Sequence, residues 1–173
     1  MKYLYLSLSL LLAGPIRDNS EKHIFSQFTK DININMYTYE ITNEIRKKVQ
    51  KATKQSFYRE KLYYWNISKK DTTIAYAFLD NVKGKSMPIT FLVIMNKEGK
   101  IINTTVIKYR EAYGGQVGQK NWLAQFNNYN NNSNYTIGDD IDGITGATIS
   151  VNSLSKGIQK ITVLFPLIKN KLK

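Results

Sequence analysis

Cysteine is absent from the 173 residues of this chain, and histidine occurs once, at His23. Without cysteine the chain forms no disulfide bond, thiolate zinc site or iron–sulfur cluster of its own, and it has no cysteine nucleophile. Nothing around His23 resembles the sharp turn that presents a catalytic serine, so we do not expect a Ser-His-Asp triad. The sequence predicts neither a set of catalytic residues nor a metal site.

Acidic residues are scarce as well. The 13 Asp and Glu residues face 25 Lys and Arg residues, which leaves a formal net charge of +12 at pH 7. Such a surplus suits nucleic acid, an anionic membrane surface or an acidic redox partner. No nucleic-acid-binding motif accompanies the charge, so we expect a membrane surface or a protein partner and no nucleic acid.

Long apolar runs are lacking, and the N-terminal one is short. Residues 1–14 carry a positive charge near their start, at Lys2. They continue as an apolar run relieved by serines and end on Ala13 and Gly14. This pattern predicts a secretory signal peptide, because the run is too short for a helix spanning the ~30 Å apolar core of a bilayer. Pro15 stands where a lipoprotein carries its lipidated cysteine, so lipidation is not expected. A buried N-terminal helix is the alternative, and cleavage of the signal or its retention as an anchor stays open.

Residues 15–173 are predicted to form one exported domain, in the periplasm or on the outer face of the cytoplasmic membrane. The length of the chain and its hydrophobic content of 42% suffice for one core. Hydrophobic periodicity predicts an α+β fold, with an antiparallel or mixed central sheet and flanking helices. The predicted helices cover residues 20–28, 39–56, 120–127 and 150–172. The predicted strands cover residues 62–67, 72–79, 89–95 and 101–109, of which the last two form a hairpin.

The most specific stretch is Asp-Gly-Ile-Thr-Gly-Ala-Thr at residues 142–148. Its glycines and alanine make a small-residue turn that carries hydroxyl groups on Thr145 and Thr148. A long helix follows at once, with Ser150 or a close neighbour as its N-cap. The first amides of a helix lack intrahelical partners and carry partial positive charge, so a phosphate group fits there. An ordinary helix entry has the same spacing and is the alternative.

This stretch resembles the flavinylation motif of the FMN-binding domain family, whose members include flavin-carrying components of the sodium-translocating NADH:quinone reductase and of the Rnf complex. Residues 109–115 and 120–126 support the resemblance. They are similar to the Glu-x-x-Gly-Gly loop and the Trp/Phe-bearing helix that lie upstream of the motif in small members. The resemblance covers about residues 87–168. It implies that Thr148 carries FMN through a phosphoester bond, installed by a dedicated flavin transferase.

The resemblance also implies roles around the flavin, which would lie at the N-terminus of the last helix. At the phosphate end, amides of the turn at residues 150–153 are expected to bind the phosphate. We expect the remaining motif residues to admit the phosphate or to be read by the transferase: Asp142, Thr145, Gly146, Ala147 and Ser150. At the ring end, we expect contacts from Glu111, Tyr113, Gly114, Gly115 and Trp122. Tyr113 and Trp122 are the predicted stacking residues, Glu111 a polar contact, and the glycines would admit the ring edge.

The function expected from the resemblance is that of an extracytoplasmic flavoprotein that relays electrons between redox proteins or within a membrane electron-transfer complex. One alternative is an FMN-dependent reductase of a small electron acceptor, although no substrate pocket is readable in the sequence. Another is a cofactor-free basic domain that binds a membrane surface or a protein.

Overall fold

The computed structural model describes residues 14–28 and 31–173, so the predicted signal peptide lies outside the described residues except for Gly14. Within these residues, five strands follow one another: β1 (Asn33–Glu40), β2 (Lys61–Lys69), β3 (Thr72–Lys83), β4 (Pro88–Asn96) and β5 (Ile101–Lys108). The α-helices of the described residues are α1 (Pro15–Gln27), α2 (Asn43–Thr53), α3 (Lys120–Ala124) and α4 (Thr148–Ile168). None of these helices is long and apolar enough to cross a membrane.

The five strands form one antiparallel sheet in the order β1-β2-β3-β4-β5, so each strand pairs with its neighbour in sequence. Strand β4 is buried at every position between its two ends. Its side chains alternate between two cores: Phe91 and Val93 belong to one, and Leu92 and Ile94 to the other. Because both faces of this strand are covered, its sequence is a continuous apolar run instead of an alternating one.

Helices cover the sheet on both faces. One core joins the sheet to α2, α3 and α4, and it includes Leu154, Ile158 and Phe165 of α4. The smaller core lies under α1, where Ile24 is fully buried against the opposite face of the sheet. The α+β class with an antiparallel sheet and flanking helices is therefore confirmed.

Helix α4 approaches the sheet closely at Gly157. A Cβ atom at this position would lie 2.4 Å from Cγ1 of Val82 and 3.1 Å from Cζ of Phe91. Only glycine permits such an approach without displacing β3 or β4. The N-terminus of α4 lies beside the β3–β4 loop, at one end of these two interior strands.

The predicted hairpin is confirmed as β4 and β5, and the strands predicted at residues 62–67 and 72–79 are confirmed as parts of β2 and β3. The helix predicted over residues 39–56 is wrong at its start. Tyr39 and Glu40 belong to β1, which pairs with β2 and was not predicted, and the helix begins at Asn43. The helix predicted over residues 20–28 begins earlier, at Pro15, where the fixed φ of proline favours a first helical turn.

Candidate functional site

The motif at residues 142–148 forms the entry to α4. Gly146 has a φ of +79°, a left-handed conformation that turns the chain into the helix. Ala147 occupies the N-cap position, and its carbonyl accepts the first helical hydrogen bond, from the amide of Val151 at 2.9 Å. The amides of residues 148–150 therefore precede the helical ladder and have no partner within it. Of the amides predicted at residues 150–153, only that of Ser150 is among these free donors, because the ladder begins at the amide of Val151.

Thr148 is the first residue of α4, and its side chain is exposed. The sequence predicts Ser150 or a close neighbour as the N-cap. The N-cap is Ala147, whereas Ser150 lies inside the first turn and is buried. Its hydroxyl lies 3.0 Å from the hydroxyl of Tyr109, which also donates a hydrogen bond to the carbonyl of Tyr113. Ser150 therefore ties the loop that follows β5 to the first turn of α4.

Gly114 completes this junction. Its φ is +82°, and a Cβ atom there would lie 2.8 Å from the Tyr109 hydroxyl, 3.3 Å from Oγ of Ser150 and 3.4 Å from Cβ of Ala147. The loop at residues 111–114 thus packs directly against the start of α4. The absence of a side chain at Gly114 therefore makes room for the side chains of Tyr109, Ser150 and Ala147.

The same loop contacts the β3–β4 connection through Glu111. Its Oε1 accepts hydrogen bonds from the amides of Ser86 at 2.7 Å and Met87 at 3.0 Å. Gly84 leaves room for this carboxylate, because a Cβ atom at residue 84 would lie 2.3 Å from Oε1. Glu111 is therefore a bridge between two loops.

The β3–β4 loop, the loop at 111–113 and the start of α4 enclose a cavity of about 540 Å³. Its volume lies within the ~300–1,000 Å³ of small-molecule and cofactor sites. Thr148 stands at one wall with the free helix amides beside it, and Tyr113, which is 86% exposed, stands at the mouth. The cavity is lined by Lys85, Ser86, Glu111, Ala112, Tyr113, Gly146, Ala147, Thr148, Ile149 and Ser150.

Residues 84–162 match the family model described as the FMN-binding domain. This segment is a member of the FMN-binding domain family. The match confirms the resemblance, covers a little under half of the chain and includes the cavity from Lys85 to Ser150. Membership supports FMN as the ligand and a flavoprotein as the class of protein. No curated protein matches the chain.

The residues of this FMN-binding domain fit the cofactor. A flavin phosphate needs hydrogen-bond donors, and the unpartnered amides of residues 148–150 provide them at the positive end of the α4 dipole. The ring needs a partly apolar slot with a few polar groups. Tyr113 and Ile149 supply apolar surface to the cavity, and Lys85 supplies a cation.

Five of the ten predicted cofactor-binding residues line the cavity of the FMN-binding domain: Glu111, Gly146, Ala147, Thr148 and Ser150. The other five do not: Asp142, Thr145, Gly114, Gly115 and Trp122. Trp122 is buried, and its Nε1 donates a hydrogen bond to the carbonyl of Asp142 at 2.9 Å. It therefore supports the motif loop from beneath, and its position does not suit the stacking role predicted for it.

Lys85 and Ser86 line the cavity although the sequence does not predict either as a site residue. Their segment has the Gly and Lys content of an ordinary hairpin connection, which predicts only a turn. What identifies them is a contact in the structure: Glu111, which lies 25 residues from Ser86 in sequence, accepts a hydrogen bond from the β3–β4 loop. Glu111, predicted as a polar contact for the ring, lines the cavity, and its Oε1 accepts hydrogen bonds from the amides of Ser86 and Met87.

The bridge from Glu111 predicts a pH dependence of the β3–β4 loop. The hydrogen bonds from the amides of Met87 and Ser86, with help from the charge of Lys85, lower the pKa of the Glu111 carboxyl below its ordinary value of 4.5. Because these bonds favour the ionised form, they persist above pH 4.5 and are lost only as the pH falls through the lowered pKa. The amide proton shifts of Ser86 and Met87 in NMR spectra report the transition.

Glu111→Gln is the control, because its amide oxygen still accepts hydrogen bonds but does not titrate in this range. Both shifts should then be independent of pH across the acidic range. A wild-type transition centred at or above pH 4.5 contradicts the bridge.

Proposed function

We propose that this protein is an extracytoplasmic flavoprotein that holds FMN through a phosphoester bond to Thr148 and relays electrons between redox partners. The observation that carries the proposal is the position of Thr148. Its exposed hydroxyl is on the first residue of α4, at the wall of a cavity, beside helix amides that have no partner. An esterified phosphate keeps negative charge, and these amides and the helix dipole stabilise that charge.

Attachment to Thr148 requires a flavin transferase that supplies a flavin nucleotide with a leaving group on its phosphate. Oγ1 of Thr148 forms the new bond to phosphorus and gives up its proton, and the leaving group departs. The motif residues Asp142, Gly143 and Thr145 are all exposed, so the transferase can reach them. Covalent attachment prevents loss of the cofactor outside the cell, where free FMN is dilute.

An electron relay agrees with the residues of the cavity better than turnover of a small substrate does. FMN, when bound, supplies one- and two-electron transfer. Among the lining residues, Oε1 of Glu111 accepts hydrogen bonds from two backbone amides, which lower the pKa of this carboxyl and make it a weak general base. The mouth at Tyr113 is open, and the net charge of +12 favours an acidic redox partner or an anionic membrane surface.

The test of this function is the spectrum of protein purified after coexpression with a flavin transferase. We expect a yellow protein whose flavin absorption band is bleached by a reductant and restored by an oxidised redox protein. A colourless protein contradicts the proposal and favours the cofactor-free basic domain. Rapid steady-state reduction of a small acceptor, with no exchange of electrons with proteins, favours the reductase.

The extracytoplasmic location rests on residues 1–14 and predicts export. N-terminal sequencing of the mature protein from its native host is expected to begin between Gly14 and Ile16, because signal peptidase cleaves after small residues. A cytosolic pool that retains Met1 and the full apolar run contradicts export. A membrane-bound pool that retains them indicates that the signal serves as an anchor.

A further inference from the structure

Two sets of contacts lie at opposite ends of the cavity wall. At one end, Gly114 packs against Ala147 and Ser150, next to Thr148. At the other end, Glu111 bonds to the amides of Ser86 and Met87, next to Lys85. The four residues from 111 to 114 are joined by three Cα–Cα steps and span at most about 11 Å. The loop at residues 111–114 thus joins the attachment point to Lys85 along one side of the cavity.

A flavin esterified to Thr148 would place its phosphate beside the free amides of α4, with the ribityl chain between the phosphate and the ring. The remaining lining residues, which include Lys85, Ser86, Glu111 and Tyr113, would then be available to hold the ring. Lys85 is exposed, and within the described residues no carboxylate forms a salt bridge with it. Its charge acts on Glu111, whose pKa it helps to lower, but no ion-pair contact holds its ammonium group, which can therefore also act on a ligand.

We propose that Lys85 is the cation that favours the reduced, negatively charged form of the flavin ring, and that Glu111 is the positioning residue that holds Lys85 at the cavity. This inference rests on the proposed function, because it requires FMN in the cavity. Addition of two electrons from a redox donor and one proton from solvent leaves the ring with one net negative charge. A nearby ammonium group stabilises that charge and raises the midpoint potential.

The first test compares Lys85→Met with wild-type protein in the flavin-loaded state. The midpoint potential at fixed pH should fall. The dissociation constant of sulfite, which places its electron pair in a bond to the oxidised ring and leaves negative charge there, should rise about tenfold or more. Lys85→Arg should restore both values, since it keeps the cation. The proposal is overturned if Lys85→Met leaves both the midpoint potential and the sulfite affinity unchanged. This includes the case in which the substitution reduces only flavin attachment, because Lys85 would then contact the phosphate.

The matched control is Lys97→Met. Lys97 is an exposed lysine in the turn after β4, whereas Lys85 lies in the loop before it. At about 3.3 Å per residue, the strand places them some 30 Å apart. Lys97→Met removes the same charge from the chain and should leave both readouts unchanged. Equal effects of the two substitutions overturn the proposal, because the effect would then come from net charge.

The positioning role of Glu111 is tested by a double-mutant cycle. In a Glu111→Ala background, the β3–β4 loop loses its carboxylate bridge, so Lys85→Met should change the potential much less than it does in wild-type protein. If Lys85→Met has the same effect in both backgrounds, Glu111 does not position Lys85. The cycle separates positioning from the charge of Glu111, because that charge is absent from both members of the second pair.

The covalent bond and the role of Lys85 can fail independently. Thr148→Ala saturated with free FMN places the ring in the cavity without the ester, and the effect of Lys85→Met should persist there. If wild-type protein takes up FMN only without a covalent bond, the proposed attachment fails and the role of Lys85 is measured in that state. If no variant binds FMN in any form, both proposals are overturned.

Discussion

Thr148→Ala is expected to abolish covalent attachment of flavin while leaving the fold intact. The substitution removes one exposed hydroxyl from the first residue of α4, and Thr148 makes no side-chain hydrogen bond as donor or acceptor within the described structure. Alanine is a favourable residue in a helix, so the stability of the protein should change little. A denaturing gel viewed under ultraviolet light measures attachment, and circular dichroism measures the fold.

Substitutions at three neighbouring residues with hydroxyl groups, Thr148, Thr145 and Ser150, serve as controls. Thr148→Ser keeps the nucleophilic oxygen and should retain some attachment. Thr145→Ala should fold and be flavinylated poorly if the transferase reads the motif. Ser150→Ala should not remove the attachment site, because Ser150 is buried against Tyr109. A fluorescent band that persists in Thr148→Ala, with an adduct at Thr145 or Ser150, would place the bond elsewhere.

Lys160→Met is expected to destabilise the fold by about 3–5 kcal/mol, the usual cost of removing one partner of a buried ion pair. Nζ of Lys160 is fully buried in α4, 2.8 Å from Oδ2 of Asp80 on β3 and 2.8 Å from the carbonyl of Ser56. It also lies 4.6 Å from the ring centre of Phe57. The contact with Asp80 has the distance of an ion pair but not the geometry of a hydrogen bond, so the loss is mainly that of charge pairing.

Urea denaturation measures this loss through the midpoint at an unchanged slope. Lys156→Met is the matched control, because Lys156 lies one turn earlier in α4 and is exposed. Its effect should stay within about 0.5 kcal/mol. Lys160→Met combined with Asp80→Asn should recover part of the stability, since the double variant leaves no unpaired buried charge. A single variant no less stable than the Lys156 control would contradict the role of the pair.

The parts of the fold that the sequence predicts best are those whose burial is uniform. Strand β4 is apolar from Ile89 to Met95 because both of its faces are covered. Strand β1 has one neighbour, β2, and its residues alternate between exposed and partly buried positions, so its signal is weak. Ile41 is the reason that the second helix is predicted to begin too early. It shares helical spacing with Ile45 and Val49 and the same core, yet it lies just before the helix begins.

The residues of the site also differ in how well the sequence predicts them. The attachment end is local in sequence, since Gly146, Thr148 and the helix follow one another, and it is predictable from the motif. The opposite wall depends on contacts between distant segments, such as Glu111 with the loop that carries Lys85. No local pattern encodes those contacts. The resemblance implies a ring contact for Trp122, whereas the packing of α3 buries this residue, and its Nε1 donates a hydrogen bond to the carbonyl of Asp142 in the motif.

The central claim is that Thr148 carries FMN, and intact mass spectrometry tests it most directly. The full chain is produced with and without an active flavin transferase, and the mass is followed by peptide mapping. We predict a gain equal to one FMN less one water only in the presence of the transferase, mapped to the peptide that contains Thr148 and to that residue. An unchanged mass despite a transferase that modifies a known substrate in the same cells would contradict the account.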